Sequence, residues 1–171
     1  MAERGPTESR AEAVVSTDGG ETVIDGVRVT PLRRIPDERG TIYHMLRCTD
    51  PHFLGFGEIY FTSVYEGVVK GWHKHLEMTL NYACIFGRIK VVLYDDRPDS
   101  STKGSLMEVF LGSDNYSLVT ISPGIWTGFK GMSRPFALVA NCATHPHDPA
   151  RTTRLDPFDN HIPYSWDVRH H

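Results

Sequence analysis

Two histidines separated by one residue are the feature of this sequence that most clearly suggests chemistry. They close the segment Gly67-Val68-Val69-Lys70-Gly71-Trp72-His73-Lys74-His75, which is rich in small and β-branched residues. If this segment is a strand, alternate side chains share a face, so His73 and His75 point the same way. Lys70 joins that face only if the backbone bulges at Gly71. Two imidazoles on one face predict either a metal site or a catalytic base with a neighbour.

Short strands are predicted along most of the chain, and they are the elements that must position the two histidines. The predicted strands, separated by turns containing Gly, Pro or Asp, cover residues 22–24, 27–30, 41–46, 58–65, 68–75, 80–86, 89–94, 106–111, 116–121, 126–129 and 136–142. Beyond residue 142 the chain is Pro-rich and predicted as loop. With no long amphipathic helix and no internal repeat, the pattern predicts an all-β sandwich or barrel. A jelly roll of this kind encloses a central cavity for inward-facing histidines.

Length and composition place limits on the kind of protein. A chain of 171 residues is expected to form one domain, at residues 22–171, after a polar and disordered leader at residues 1–21. The leader lacks the apolar core of a signal peptide, and no apolar run reaches the length of a membrane span. A net charge of −3 gives no reason to expect a nucleic-acid partner. Cys48, Cys84 and Cys142 are expected to be buried reduced thiols, which fits a cytoplasmic protein.

The histidine segment resembles the first motif of the cupins, a family of jelly-roll proteins. The residues that match the cupin motifs are Gly67, His73, His75, Gly87 and the later pair Pro123-Gly124. The usual glutamate position holds Leu80, or Thr79 on a shorter count, and Thr127 stands where the last ligand histidine falls. Only two of the four usual ligands remain, whereas zinc or iron normally takes at least three protein ligands. We therefore expect no metal, with a metal site at His73 and His75 as the alternative.

Five motifs in order resemble one cupin branch, the dTDP-4-dehydrorhamnose 3,5-epimerases and related sugar-nucleotide epimerases. They are Asp37-Glu38-Arg39-Gly40, Lys70-Gly71-Trp72-His73, the loop from Asp95 to Gly104, the segment from Ser122 to Phe129, and Leu155-Asp156-Pro157 followed by Ile162 and Trp166. The resemblance implies isomerase chemistry on a nucleotide-linked 4-keto-6-deoxy sugar. In that chemistry a base removes the acidic proton beside the carbonyl, and a proton then returns to the other face. The resemblance also implies a homodimer, with N-terminal strands paired across subunits, and no cofactor.

The same resemblance assigns roles to individual side chains. It makes His73 the base and Asp156 the residue that orients the imidazole ring, because a base needs a near-neutral pKa and a fixed tautomer. Asp156 is also interpreted as a turn residue before Pro157. Arg39 corresponds to a contact with the nucleotide diphosphate, or alternatively to a surface salt bridge within its charged turn. The remaining substrate-binding residues implied are Glu58, Lys70, His75, Thr79 and Asn81.

Two departures from the family pattern leave alternatives open. The segment that holds Thr79 and Asn81 lacks the family's lysine near the enolate oxygen. Ala140 stands where the family has the tyrosine that reprotonates the opposite face. The candidate replacements for that acid are Tyr60, Tyr82, His75 and His145. Beside the epimerase, a metal-dependent cupin and a non-catalytic sugar-nucleotide-binding cupin are therefore retained as hypotheses.

Overall fold

The computed structural model describes residues 24–51 and 53–168. The strands of this part of the chain are β1 (Val27–Pro31), β2 (Arg34–Asp37), β3 (Gly40–Tyr43), β4 (Glu58–Tyr65), β5 (Val69–His75), β6 (Leu80–Phe86), β7 (Arg88–Tyr94), β8 (Leu106–Gly112), β9 (Ser117–Ile121), β10 (Trp126–Gly131), β11 (Phe136–Ala143) and β12 (Thr152–Arg154). A single 3₁₀ turn, Pro149–Arg151, precedes β12 within the described residues.

Two five-stranded sheets face each other across a hydrophobic core. The first sheet has the strand order β1-β9-β6-β11-β4, and the second has the order β12-β5-β10-β7-β8. Their inward side chains form one buried cluster that includes Val64, Leu80, Ile89, Val119 and Val139. Strands β2 and β3 pair with each other as a separate hairpin. Among the described residues, β4 and β12 are edge strands of the two sheets.

The C-terminal segment covers the outer face of the second sheet. Trp72 of β5 is fully buried there, with its ring centroid 5.1 Å from that of Trp166 and 6.0 Å from that of Tyr164. Ile162 and Trp126 belong to the same cluster. Because Trp72 alternates with His73 along β5, burial of the indole on the outside holds the imidazole on the inside.

A β-bulge in β5 determines which of its side chains share the inner face. Thr127 of β10 pairs with His73, and Phe129 of β10 pairs with Lys70. Two residue steps along β10 therefore correspond to three steps along β5, which contains the extra residue. The extra residue brings Lys70 onto the same face as His73. A Cβ atom on Gly71 would lie 2.8 Å from the Cα atom of Gly128, so the close approach of the strands at the bulge requires a glycine.

The predicted all-β architecture is confirmed. Strands β4 and β6 have the predicted bounds, and most other predicted strands differ by one or two residues. The prediction of loop after residue 142 holds for most of the described segment but is wrong at Thr152–Arg154, which form β12 by pairing with β5. The predicted leader at 1–21 lies outside the described residues, as does all but Ile24 of the predicted first strand.

The cysteine prediction is correct for two residues and wrong for the third. Cys84 and Cys142 are buried free thiols, whereas Cys48 is exposed. Cys48 lies in the loop between β3 and β4, where no sheet covers it. Within residues 24–51 and 53–168, no helix is long and apolar enough to cross a membrane.

Candidate active site

A cavity of about 230 Å³ lies between the two sheets. The side chains on the wall formed by the second sheet are Lys70, His73 and His75 of β5 with Thr152 and Arg154 of β12. The polar side chains on the facing wall are Tyr60 and Thr62 of β4, Tyr82 of β6 and Asn141 of β11. His147, from the loop after β11, also lines the cavity. The two sheets therefore present imidazoles and cations on one side, and tyrosines and an amide on the other.

His75 is held in a defined orientation by a hydroxyl group. Its Nδ1 lies 3.1 Å from Oγ1 of Thr152, and that hydroxyl donates its proton to the carbonyl oxygen of Asp148 at 3.1 Å. Because the single hydroxyl proton is used, Oγ1 acts as the acceptor toward His75, which assigns the proton of the neutral ring to Nδ1. The Nε2 atom of His75 then carries the free lone pair.

The pKa values of both cavity histidines lie below the ordinary value of 6.5. For His73 the cause is burial, followed by the positive charge of Arg154 and by His147. For His75, burial together with His73, His147 and Arg154 lowers the pKa to about 4. Both imidazoles are consequently neutral at pH 7, and a neutral imidazole is the form that accepts a proton.

This lowered pKa predicts loss of stability in acid. His75 takes up its proton at a pH near 6.5 in the unfolded chain, but only near pH 4 in the folded protein. Between these values the unfolded state binds more protons, so the free energy of unfolding should fall as the pH is lowered from 6.5 towards 4. Urea unfolding at several pH values measures this fall. A His75→Asn variant should show a shallower fall, and an equal slope in both proteins would contradict the explanation.

A hydrogen-bonded chain fixes Tyr60 on the facing wall. The Oδ1 atom of Asn141 accepts from the backbone N–H of Asn81 at 3.0 Å, and Nδ2 of Asn141 donates to the hydroxyl oxygen of Tyr60 at 2.9 Å. Tyr82 lies deeper, with its ring centroid 5.9 Å from that of Phe129. Burial, followed by the nearby Tyr60, raises the pKa of Tyr82 far above its ordinary value of 10.0.

Two cations reach the cavity, and only one of them was predicted from the sequence. Lys70 arrives through the bulge in β5. Arg154 was not predicted, because it lies on β12, in a segment predicted as loop, and Thr152 was not predicted for the same reason. Arg154 pairs directly with His73 across β12 and β5. The β-branched pair Thr152-Thr153 was a weak indication of a strand here, but three residues are too few for a pattern.

Asp156 and Arg39 are placed outside the cavity. The Oδ1 atom of Asp156 accepts from the backbone N–H groups of Phe158 and Asp159, at 2.8 and 2.9 Å, and the residue is exposed. No hydrogen bond joins it to His73 in the described chain, so the geometry matches the turn interpretation. Arg39 is in the turn of the β2–β3 hairpin, where its guanidinium pairs with Asp37 at 2.6 Å and its side chain is 86% exposed.

Three other predicted binding residues do not line the cavity either. Asn81 uses its side chain to contact Thr120 and the carbonyl oxygen of Cys142, because strand alternation turns it away from Tyr82. The backbone of Thr79 is hydrogen-bonded to Thr144. Glu58 begins β4, and its Oε1 atom is buried without a hydrogen-bond partner among the described residues.

The alternative of a metal site at His73 and His75 finds no third ligand in the described part of the chain. Among residues 24–51 and 53–168, no three or more His, Cys, Asp or Glu side chains are arranged so that they could hold a metal ion. Thr127, at the expected position of the last cupin ligand, is buried beside His73 with its Oγ1 unpartnered in the described chain. His145 lies in an adjoining depression of about 200 Å³ with Glu77 and Arg151, and this depression shares His75 and Thr152 with the cavity.

Comparisons with known proteins agree with this architecture. Residues 21–171 match the family model described as dTDP-4-dehydrorhamnose 3,5-epimerase. A probable low-salt glycan biosynthesis epimerase, Agl13 of Haloferax volcanii, is 34% identical over 143 residues, covering 82% of this chain and 88% of that protein. The crystal structure of a dTDP sugar isomerase from Desulfovibrio desulfuricans G20 is 44% identical with a TM-score of 0.80, covering 84% and 92% of the two chains. ChmJ, a 3'-monoepimerase from Streptomyces bikiniensis determined with dTDP-quinovose, shares the fold, with 18% identity, a TM-score of 0.75, and coverage of 84% and 76%.

The two facing sheets and the cavity between them define a cupin jelly roll. Within that class, the chain belongs to the dTDP-4-dehydrorhamnose 3,5-epimerase family. It is an enzyme of the epimerase and isomerase type, and its class of reaction is sugar-nucleotide epimerisation.

Proposed function

We propose that this enzyme epimerises a dTDP-linked 4-keto-6-deoxy sugar by removing a proton from a carbon next to the carbonyl, with His73 as the base. The observation that carries the proposal is a neutral histidine facing a cavity lined by two cations. The cavity, at about 230 Å³, is smaller than the pockets of about 300–1,000 Å³ that hold drug-sized ligands. It therefore suits one sugar ring, with the nucleotide outside.

The proposed mechanism uses the charges of the cavity wall. When His73 takes the proton, the electron pair of the C–H bond forms a C=C bond and the carbonyl oxygen becomes an enolate. Lys70 and Arg154 place positive charge on the same side as His73, where it stabilises the enolate oxygen or the diphosphate. Stabilisation of a developing oxyanion by such preorganised charges is usually the largest single contribution to catalysis. These two cations supply the positive charge that the segment holding Thr79 and Asn81 lacks.

Asp156 is proposed to hold the chain after β12 rather than to orient His73. Its carboxylate closes the turn that begins two residues after Arg154. The turn therefore supports β12, the strand whose Arg154 pairs with His73. The orienting role would require the carboxylate to leave both backbone N–H groups. Hydrogen bonds from these two groups lower the pKa of Asp156 below its ordinary value, since they favour the charged form.

An Asp156→Asn variant distinguishes these two roles. The amide oxygen of asparagine accepts the same backbone hydrogen bonds, so we expect kcat to stay within about threefold of the wild-type value if the residue only closes a turn. Loss of a carboxylate that fixes the tautomer of a catalytic histidine costs about 10⁴-fold in kcat in a serine-protease triad. Steady-state kinetics measures the difference. A loss of kcat approaching that size, with the fold intact, would restore the orienting role.

A homodimer is also part of the proposal. Within the described residues, strand β4 ends the first sheet with one edge unpaired, and its outward side chains Ile59, Phe61 and Tyr65 are 50%, 58% and 67% exposed. A long apolar edge of this kind favours pairing with another chain. The β2–β3 hairpin presents a further exposed apolar side chain, Ile42, and carries Arg39 in its turn. In the proposed homodimer the second copy also packs against this hairpin, which places both residues in the interface. Light scattering of the purified chain measures its mass against the 19.3 kDa of one copy.

The cytoplasm is the proposed location. Buried Cys84 and Cys142 are reduced, and thiols that stay unpaired are typical of a reducing compartment. The assignment is consistent with a substrate that is an activated nucleotide sugar.

The proposed function is tested by hydrogen exchange between substrate and solvent. The protein is incubated in deuterated water with dTDP-4-keto-6-deoxyglucose, and the mass of the recovered sugar nucleotide is followed with time. We expect a gain of deuterium that continues after extensive chelation of metals. Exchange abolished by chelation and restored by a divalent metal would instead support the metal-dependent cupin. Saturable binding without exchange would support the non-catalytic binding protein.

A further inference from the structure

Inversion at a carbon atom needs a second group on the wall opposite the base. After His73 has removed a proton from one face of the sugar, inversion requires a proton to arrive from the other face. His73, His75, Lys70 and Arg154 all belong to the second sheet, so none of them faces the other side of a sugar held between the sheets. His147, which also lines the cavity, packs beside His75 with their ring centroids 6.5 Å apart, so it lies on the side of the base as well. The proton donor must therefore come from the first sheet.

Two ionisable side chains of the first sheet line the cavity, Tyr60 and Tyr82. Tyr82 belongs to the hydrophobic core cluster, and burial raises its pKa far above its ordinary value of 10.0. After giving up its proton it would be an unfavourable buried phenolate, remote from water. Tyr60 is 38% exposed, so its hydroxyl can regain a proton from solvent in each cycle. His145 is not a competitor, because it lines the neighbouring depression.

The hydrogen bond from Asn141 prepares Tyr60 for proton donation. Asn141 is 1% exposed, and its Oδ1 is held by the backbone N–H of Asn81. That bond leaves Nδ2 as the group that donates to the oxygen of Tyr60, at 2.9 Å. Tyr60 is thus the acceptor in this contact, and its own O–H proton is available to another acceptor. The same donated bond stabilises negative charge on the oxygen once the proton has left.

We propose that Tyr60 is the catalytic acid that delivers a proton to the face of the sugar opposite His73, and that Asn141 is its positioning residue. This inference rests on the proposed epimerase function. In the first step the C–H bond breaks, His73 becomes the imidazolium, and the enolate forms. In the second step the O–H bond of Tyr60 breaks, a new C–H bond forms on the other face, and the enolate returns to the ketone. Solvent then reprotonates the phenolate of Tyr60 and removes the extra proton of His73.

The test separates exchange from inversion in a Tyr60→Phe variant. Deuterium exchange and the configuration of the sugar carbon are measured in the same samples by NMR, at saturating dTDP-4-keto-6-deoxyglucose. Because His73 still removes and returns a proton on its own face, exchange should remain within about threefold of the wild-type rate. Inversion should fall about 100-fold, the lower range for loss of a general acid. Tyr94→Phe is the matched control, since Tyr94 packs in the cluster on the outer face of the second sheet and does not line the cavity.

Each other outcome identifies which claim is at fault. Inversion by Tyr60→Phe at the wild-type rate overturns the role of Tyr60 while leaving the base chemistry intact. Loss of exchange and inversion together, in a variant with wild-type circular dichroism, assigns Tyr60 to substrate positioning and also overturns the acid role. If the wild-type protein itself shows no exchange, the proposed function fails and the role of Tyr60 fails with it. An Asn141→Asp variant that keeps full inversion would overturn the positioning role of Asn141.

Discussion

Replacing His73 with alanine should lower the rate of deuterium exchange into the sugar by about 10²–10⁴-fold, the range typical for loss of a general acid or base. The imidazole is the group on β5 that faces the cavity beside Arg154, and an alanine side chain cannot accept a proton. Because the pKa of His73 is below 6.5, the wild-type rate should remain high at pH 6.5 and decline only in more acidic solution. Initial rates measured by mass spectrometry across this pH range give both results.

The matched control for this change is His161→Ala. His161 is exposed and packs against Trp126, with ring centroids 6.3 Å apart, on the outer side of the second sheet. Its removal should leave the exchange rate within about twofold, as for most surface substitutions away from a site. If His73→Ala retained wild-type exchange, His75 would become the base, since its Nε2 is also free in the tautomer assigned here.

Replacing Arg154 with glutamine should lower kcat by about 10²–10³-fold, as for the loss of one preorganised group that stabilises an oxyanion. The positive charge of Arg154 also depresses the pKa of His73 and of His75. Its removal should therefore move the acidic limb of the pH–rate profile to higher pH. The combination of a lower kcat and a shifted limb is the result expected from a charge beside the reacting centre.

A second arginine nearby provides the control for Arg154. Arg151 lies three residues earlier, pairs with Glu77, and lines the adjoining depression but not the cavity. Arg151→Gln should therefore change kcat by less than about threefold. If Arg154→Gln raised KM with kcat unchanged, Arg154 would bind the diphosphate equally in the ground and transition states, and its proposed role at the enolate would be wrong.

The strands were predictable because their patterns are local. Residues 58–65 are rich in β-branched and aromatic residues and lie between Gly57 and Gly67, so their ends follow from composition. Residues 80–86 are mostly apolar and end at Gly87. The shared face of His73 and His75 also follows from strand alternation alone. The sequence predicted that Lys70 would join this face only if the backbone bulged at Gly71. The bulge is visible only in the register between β5 and β10, and that register depends on a partner strand about 55 residues later.

The facing wall and β12 were less accessible to sequence reasoning. Tyr60 was one of four candidates for the acid, and the bond that distinguishes it comes from Asn141, 81 residues away. Strand β12 has three residues and gains its structure from the edge of β5, so its own sequence carries almost no pattern. Arg154, and with it half of the positive charge in the cavity, was missed for that reason.

Two site residues predicted by motif matching, Asp156 and Arg39, lie outside the cavity and form hydrogen bonds within their own turns. Asp156 stands in the expected motif, yet its carboxylate satisfies the next backbone N–H groups, as an aspartate before Pro157 readily does. Arg39 is likewise engaged by Asp37 within its own turn. Local hydrogen bonds compete with a distant role in both cases, and a motif alone does not show which interaction prevails.

The central claim is that His73 removes a proton from a carbon next to the carbonyl, and position-resolved proton NMR tests it most directly. Wild-type protein and His73→Ala are each incubated with dTDP-4-keto-6-deoxyglucose in deuterated water, and the signals at C3 and C5 are followed. We expect at least one signal to disappear with the wild-type protein and to persist with the variant under the same conditions. Equal loss of signal in both samples, or no loss at high concentrations of wild-type protein, would contradict the claim.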